Sequence, residues 1–257
     1  MRDDTSLPNV DLKEPNSRRA IVAGLASHGI VLLRGGNGRE SLIRAGRSLL
    51  TIRLHRDSDD DGVTTIVQRP VPEGSSVTGF SDRALWPHTD GSAVERPPRV
   101  LMLGCIQPAQ AGGHSHVVDG RTLYDEIART DLAMLTALST PRSAYFGGGL
   151  GHLGAVFQEI ENDRMAIRIR FDALARFSPV VTPYIGRLRA LAQDRTITLD
   201  LREGDGYVVL NDRWLHGRSQ FSGERTMLRI VGDPHSYLGL RSGFQPTVTG
   251  AGPLRAA

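Results

Sequence analysis

The sequence predicts a mainly β protein with flanking helices, an α+β chain whose strands close into a double-stranded β-helix, or jelly roll. Short apolar runs such as Val63–Val67, Val100–Ile106 and Tyr207–Leu210 recur between turn-forming clusters of Gly, Asp and Pro. Met165, Ile167, Ile169 and Phe171 alternate with Ala166, Arg168 and Arg170, the period of a strand with one apolar face. The 257 residues contain no internal repeat and suit a single β-rich domain, residues 1–257.

Taken in order, residues 1–16 read as a polar arm containing Pro8 and Pro15. Ser17 is placed to cap a helix from Arg18 to about His28, which Gly29 ends. A strand follows at Ile30–Leu33. Asn37, with Glu40 three residues later, resembles a capping box for a helix to about Leu50. Asp57–Asp61 is an acidic loop, and no glutamate closes it at the spacing of a calcium hand. Val63–Val67 and Val100–Ile106 are strands. Arg121–Arg129 reads as a surface helix after the Asp119-Gly120 turn. Thr182-Pro183 opens a helix to about Gln193, with proline in its first turn. Thr196–Leu201, Tyr207–Leu210 and Thr226–Val231 complete the sheet. The Gly/Pro-rich tail, residues 241–257, is expected to be loosely ordered.

Composition narrows the classes of function. Cys105 is the sole cysteine, which precludes an intramolecular disulfide and fits a reducing cytoplasm. Its setting in Leu101–Ile106 reads as a buried strand, so packing rather than reactivity is its expected role. No signal peptide is read at Met1-Arg2-Asp3-Asp4, and no apolar run approaches membrane-spanning length. Of the 31 basic residues only Lys13 is a lysine, and the arginines are scattered among 28 acids without a concentrated basic patch. A nucleic-acid partner is therefore not expected. No heptad pattern or apolar helix stripe indicates an oligomeric state.

The chemistry lies in His88-Thr89-Asp90, with His216 and Arg229 far down the chain. In a strand, residues i and i+2 share a face, so His88 and Asp90 can reach one ion while Thr89 turns away. Gly91 lets the backbone turn directly afterwards. Two imidazoles and one carboxylate can hold a ferrous ion on one face and leave the opposite positions open. Arg229, thirteen residues beyond His216, is placed to grip a dicarboxylate as a fork. Singly, each has a plainer reading: an H-x-D tripeptide is usually a solvated loop, and a lone histidine a hydrogen-bonded structural one. A rival pair, His114 and His116, also alternates and could share a strand face.

Four blocks occur in one order: Trp86-Pro87-His88-Thr89-Asp90-Gly91, Ala111-Gly112-Gly113-His114-Ser115, Asn211–Arg218 and Gly223–Arg229. Together they resemble the Fe(II)/2-oxoglutarate dioxygenases of the taurine dioxygenase and clavaminate synthase type. Gly29–Gly35 also resembles the N-terminal strand of that group. The resemblance implies that His88, Asp90 and His216 ligate iron and that Arg229 binds the distal carboxylate of 2-oxoglutarate. Ser115 stands where the group commonly has a threonine that hydrogen-bonds the same carboxylate, and Arg225 matches a second basic position near the co-substrate. His114 departs from the usual acidic or polar residue after the glycine pair. Asp90 occupies the position where related halogenases have Gly or Ala, so the resemblance implies an oxygen-derived product rather than chlorination.

The implied reaction consumes Fe(II)-bound 2-oxoglutarate and O2, hydroxylates an unactivated C–H bond and releases succinate and CO2. Desaturation or epoxidation would use the same centre, and a jelly-roll binding module that has lost its redox chemistry is the alternative of another class. A nucleic-acid-directed oxygenase is a third. A small polar molecule, an amino acid or a natural-product acid, is the expected substrate. Asp82, Arg83, Trp86, His152 and Arg168, together with Arg170, are the candidates to contact it. The run Gly147–Gly151 could be either a lid over the site or a connecting loop.

Overall fold

Strand alternation divides the interior into layers. On the strand Val100–Gln107, Val100 and Met102 pack toward helices, whereas Leu101, Leu103 and Cys105 face a second sheet. On Thr226–Pro234, Leu228 and Ile230 go to the helices and Met227 and Val231 the other way, with Arg229 between them in the same phase. These relations come from a computed structural model, which describes residues 7–36, 38–70, 79–161 and 163–248. The expected cap Asn37, residues 71–78 and the chain ends 1–6 and 249–257 lie outside the described residues.

The larger sheet runs in the order Asn9–Asp11, Ile30–Arg34, Gly206–Leu210, Val100–Gln107, Thr226–Pro234 and Leu50–Ile52, with Val63–Ile66 also paired to Thr226–Pro234. Only Asn9–Asp11 pairs parallel with its neighbour in this described sheet. The smaller sheet is fully antiparallel, in the order Ile197–Leu199, Ser115–Asp119, Trp214–Arg218 and Leu85–His88. The sheets meet through Leu101, Leu103, Val117, Leu199, Val209 and Trp214. Ser17–His28 and Gly38–Leu49 cover the outer face of the larger sheet through Ile21, Leu25, Leu42 and Leu49. Gly120–Thr130, Leu132–Ser139 and Thr182–Asp194 cover the smaller sheet, packing on Val118 and Leu215. Two facing sheets clad in helices are the expected jelly roll. Each fully buried Leu, Ile or Val contributes about 1.5–3 kcal/mol. No helix among the described residues is long and apolar enough to cross a membrane.

Several elements differ from the sequence reading. Ser17 is the first helical residue and Asn16 precedes it, with no side-chain capping bond. Gly29 does end that helix, in the left-handed conformation at φ 73°, its N–H donating to Leu25 O. The helix Gly120–Thr130 is capped by Asp119, which accepts from the Arg121 N–H, and buries Leu123, Tyr124 and Ile127 rather than lying on the surface. The helix Leu132–Ser139 was not foreseen because its apolar residues show no one-sided spacing. The alternating run beginning at Met165 stays a strand only to Ile167, although Ile169 remains buried. The acidic loop is held by Arg39, which reaches Asp59 at 2.6 Å and Asp61 at 2.7 Å.

One buried ion pair fixes the approach to the strand Trp214–Arg218. Arg213 donates to Asp119 from Nε at 2.9 Å and from Nη2 at 2.7 Å, and the two side chains are only 7% and 13% exposed. Removing one member strands the other charge away from water. Arg213→Ala is therefore expected to lower the unfolding free energy by about 3–5 kcal/mol in urea titrations. A loss below about 1 kcal/mol, the value of an exposed pair, would contradict that reading.

Candidate active site

The strand pairing that closes the smaller sheet places His216 directly opposite His88. Their ring centroids lie 4.4 Å apart, with the planes tilted by 44°. The pairing then slips, because Arg218 stands opposite Leu85, so Leu85–His88 carries one residue more than its partner. Such a bulge re-aims side chains. His88 Nδ1 is 2.9 Å from Trp86 O. A carbonyl only accepts, so Nδ1 carries the proton and Nε2 keeps a free lone pair. Thr89 turns away, as its spacing requires, and bonds Ile169 through its backbone N–H at 2.9 Å and its hydroxyl at 3.1 Å. Gly91 turns the chain at φ 65°, and its N–H donates to Asp90 Oδ1 at 3.0 Å.

Burial sets the charge state of this cluster. It is the main cause that pushes His216 down to about 3, with the His88 and Arg229 charges adding to it. Burial likewise lowers His88. For Asp90 burial acts upward, but Arg229, His216 and His88 outweigh it and hold the carboxyl below its ordinary range. At neutral pH the cluster is thus two neutral imidazoles and one carboxylate, the protonation state in which these groups ligate a divalent metal. Asp90 Oδ2, His216 Nδ1 and Arg229 Nε are all buried without a hydrogen-bond partner. An atom left wholly unpaired costs about 1–3 kcal/mol. Asp90 Oδ2 keeps an ion pair with Arg229, but His216 Nδ1 and Arg229 Nε have no partner among the described residues, which fits a site built for a cation and an anionic ligand. The three side chains are not already drawn into a finished shell among the described residues. Asp90 is turned onto Arg229 Nη1, 3.3 Å from Oδ2, and Arg229 Nη2 lies 3.3 Å from His55 Nδ1. A cation between the histidines would compete with Arg229 for that carboxylate.

These groups open into a cavity of about 800 Å³ between the sheets. Ser115 and Tyr207 enter it from opposite sheets, and burial pushes the Tyr207 phenol up, an effect that Arg225 and Ser115 partly offset. Beside them stands Arg225, buried, its guanidinium 5.7 Å from the centre of the Phe221 ring. No carboxylate among the described residues pairs with Arg225, and burial pulls its pKa down. Strand phase explains the arrangement: Ser115 and Val117 point between the sheets, so His114 and His116 point away. The rival histidine pair is therefore not at this site; His114 instead meets Asp200 at 3.4 Å.

The five substrate candidates do not line the cavity. The bulge swings Trp86 outward, where Arg189 stacks 3.6 Å from its ring centre. Arg168 spends its guanidinium on the carbonyls of Ser92, Val94 and Glu95, at 3.3, 2.9 and 3.0 Å, and so braces the loop after Asp90. Asp82 and Arg83 line a separate hollow of about 990 Å³ that holds none of the three ligand candidates. His152 lies on the strand Gly151–Gly154 and is half-buried outside the cavity. Arg170 does face the cavity, forked onto Asp172 at 2.7 and 2.6 Å. Gly147–Gly151 forms a hairpin turn at the mouth, where the Tyr145 hydroxyl donates to Gly148 O at 2.5 Å. His55, Tyr207 and Asn211 were missed as site residues; each is a single polar residue in a loop or apolar run, with no spacing that singles it out.

A family model described as "Taurine catabolism dioxygenase TauD, TfdA family" matches residues 2–231. The chain belongs to that family. Within and around it, human gamma-butyrobetaine dioxygenase is 26% identical over 151 residues, 52% of this chain but only 39% of the relative's length. A uridine-5'-phosphate dioxygenase of Streptomyces sp is 23% identical over 198 residues, covering 69% of this chain and 70% of that one. Among solved structures, asparagine oxygenase bound to Fe(II), 2S,3S-3-hydroxyasparagine and succinate superposes with a TM-score of 0.65 at 18% identity, over 84% of this chain and 79% of the other. The non-heme iron oxygenase OrfP, in complex with Fe and alpha-ketoglutaric acid, gives 0.67 at 14% identity, over 86% and 80%. At these identities the likeness establishes the TauD-type fold.

The buried His216 and the half-buried His55, His88 and His116 make stability depend on pH. His55, His88, His116 and His216 all have folded-state values below their ordinary 6.5. Below that value the unfolded chain binds more protons than the folded one, so stability present near neutrality is lost as pH falls through 6.5 toward the depressed values. Metal-free protein is expected to melt several degrees lower at acid pH than at neutral pH. A flat melting profile across that window would contradict the lowered values of these imidazoles.

Proposed function

We propose that this chain is a non-haem Fe(II)- and 2-oxoglutarate-dependent dioxygenase. It hydroxylates an unactivated C–H bond of a small polar substrate, an amino acid or natural-product acid, with release of succinate and CO2. The observation that carries this reading is the convergence of half-buried His88 with buried His216 and Asp90 on one cavity, where His216 Nδ1 has no hydrogen-bond partner among the described residues. His88, Asp90 and His216 would hold the iron. When bound, iron and co-substrate supply the activation of O2.

The protein's own part is orientation and charge. Trp86 O fixes the His88 tautomer, and Thr89 anchors the ligand-bearing turn to Ile169. Arg225 is the better partner for the distal carboxylate of 2-oxoglutarate. It is buried, has no acid partner among the described residues and stands beside Ser115 and Tyr207, whereas Arg229 is engaged with Asp90. This assignment exchanges the two arginines relative to the sequence reading, and it leaves Arg229 to meet an anionic group on the substrate. Seven arginines and three aspartates line the cavity, an excess that favours acids over cations. A phosphate or carboxylate on the substrate suits that lining, in keeping with the uridine-5'-phosphate named for one relative.

The direct test is succinate formation from 2-oxoglutarate in air with Fe(II), screened against small acids. Turnover is expected to require the substrate and to vanish in His88→Ala. Calorimetry on Mn(II)-loaded protein separates the arginines: Arg225→Ala should weaken 2-oxoglutarate binding on the order of 100-fold, the loss of a buried charged contact. Arg229→Ala should keep most of that affinity. The opposite pattern would return the co-substrate to Arg229.

A further inference from the structure

Asn211 sits directly after the strand Gly206–Leu210, at the start of the turn into the strand Trp214–Arg218 that carries His216. Its side chain is 1% exposed. The carboxamide makes three hydrogen bonds, all to backbone atoms far away in sequence. Oδ1 accepts from the Asp90 N–H at 2.7 Å, while Nδ2 donates to Asp90 O at 2.9 Å and to Pro98 O at 2.8 Å. The Asn211 N–H also donates to Arg99 O at 2.9 Å. One side chain thus satisfies both peptide groups of Asp90, as a neighbouring strand would.

Asp90 needs such a substitute. The strand Leu85–His88 ends two residues earlier, so no sheet partner holds the Asp90 backbone. Gly91 follows immediately and is free to adopt conformations closed to other residues. Sheet pairing fixes His88 against His216, but Asp90 would hang from a flexible turn were it not clamped by Asn211 on itself and by Thr89 on Ile169. A carboxamide fits the position because it accepts and donates together. Aspartate offers only acceptors, and Ser or Ala cannot span both groups.

We infer that Asn211 is a positioning residue for the metal: it locks the Asp90 backbone to the segment bearing His216, so that the third ligand enters in register with the other two. The inference rests on the metal-binding reading above. Groups of this kind behind a ligand set typically control metal affinity by 10- to 100-fold, as an order of magnitude.

The test is Co(II) titration of the purified metal-free protein, read by visible absorption and calorimetry below the melting temperature, with melting followed separately. Asn211→Ala and Asn211→Asp are compared with Leu25→Ala, a core truncation remote from the site. Both Asn211 variants are expected to bind Co(II) about 10- to 100-fold more weakly, with a changed absorption spectrum. Asn211→Asp is the sharper variant and carries the test should Asn211→Ala not fold, since its added negative charge alone would tighten cation binding. Leu25→Ala should melt lower yet bind as the unaltered protein does. Asn211 variants that keep the unaltered affinity and spectrum would overturn the inference while leaving the metal site standing. Failure of the folded, unaltered protein to bind Co(II) would overturn both.

Discussion

The antiparallel pairing of His216 with His88 is the constraint on which the site depends. It brings two imidazoles within 4.4 Å between centroids, and the phase of the same strands decides what else reaches them. Because side chains alternate, a one-residue slip would send His216 to the helix side, where Leu215 now packs, and bring Leu215 into the cavity. Trp214 and Leu215 therefore do more than fill volume. Seated in different cores on opposite faces, they prevent that slip.

Charge gives the site its second character. Buried guanidiniums are costly unless bonded, and the chain satisfies some of them with backbone carbonyls instead of acids. Arg168 is spent on the loop after Asp90, and Arg218 on the carbonyls of Ser81 and Arg83; burial pushes both down to about 10. These arginines act as braces. Arg225 and Arg229 are different: one has no acid partner among the described residues, and the other shares the carboxylate of Asp90. A cavity wall in which braces and ligand-facing cations are the same residue type explains why residue type alone is a poor guide to substrate contacts.

Much of the fold was legible because its strands follow a simple period and its turns are marked by glycine. The strands near Ile30, Val100, Tyr207 and Thr226 fall where apolar runs predict them. So do the helices ending at Gly29 and opening at Thr182. The spacing of His88, Asp90 and His216 was equally visible, since it is a local pattern joined to a recognisable block. What stayed hidden depends on contacts between distant segments. Nothing in the sequence says that a bulge turns Trp86 outward, that Arg168 is consumed by three carbonyls, or that Asn211 reaches back to Asp90. The proposed roles of Arg225 and Arg229 belong to this class too: four residues apart on one segment, they are distinguished by the Asp90 carboxylate that meets Arg229 and by Ser115 and Tyr207 arriving from other strands beside Arg225.

The central claim is that His88, Asp90 and His216 form one iron centre that also receives 2-oxoglutarate. The measurement that tests it most directly is an anaerobic titration of metal-free protein with Fe(II) and 2-oxoglutarate, followed by the weak visible charge-transfer absorption of the chelate. A band that forms in the unaltered protein and is lost in both Asp90→Ala and His216→Ala is the predicted result. A folded protein that gives no band, or variants that retain it, would contradict the claim.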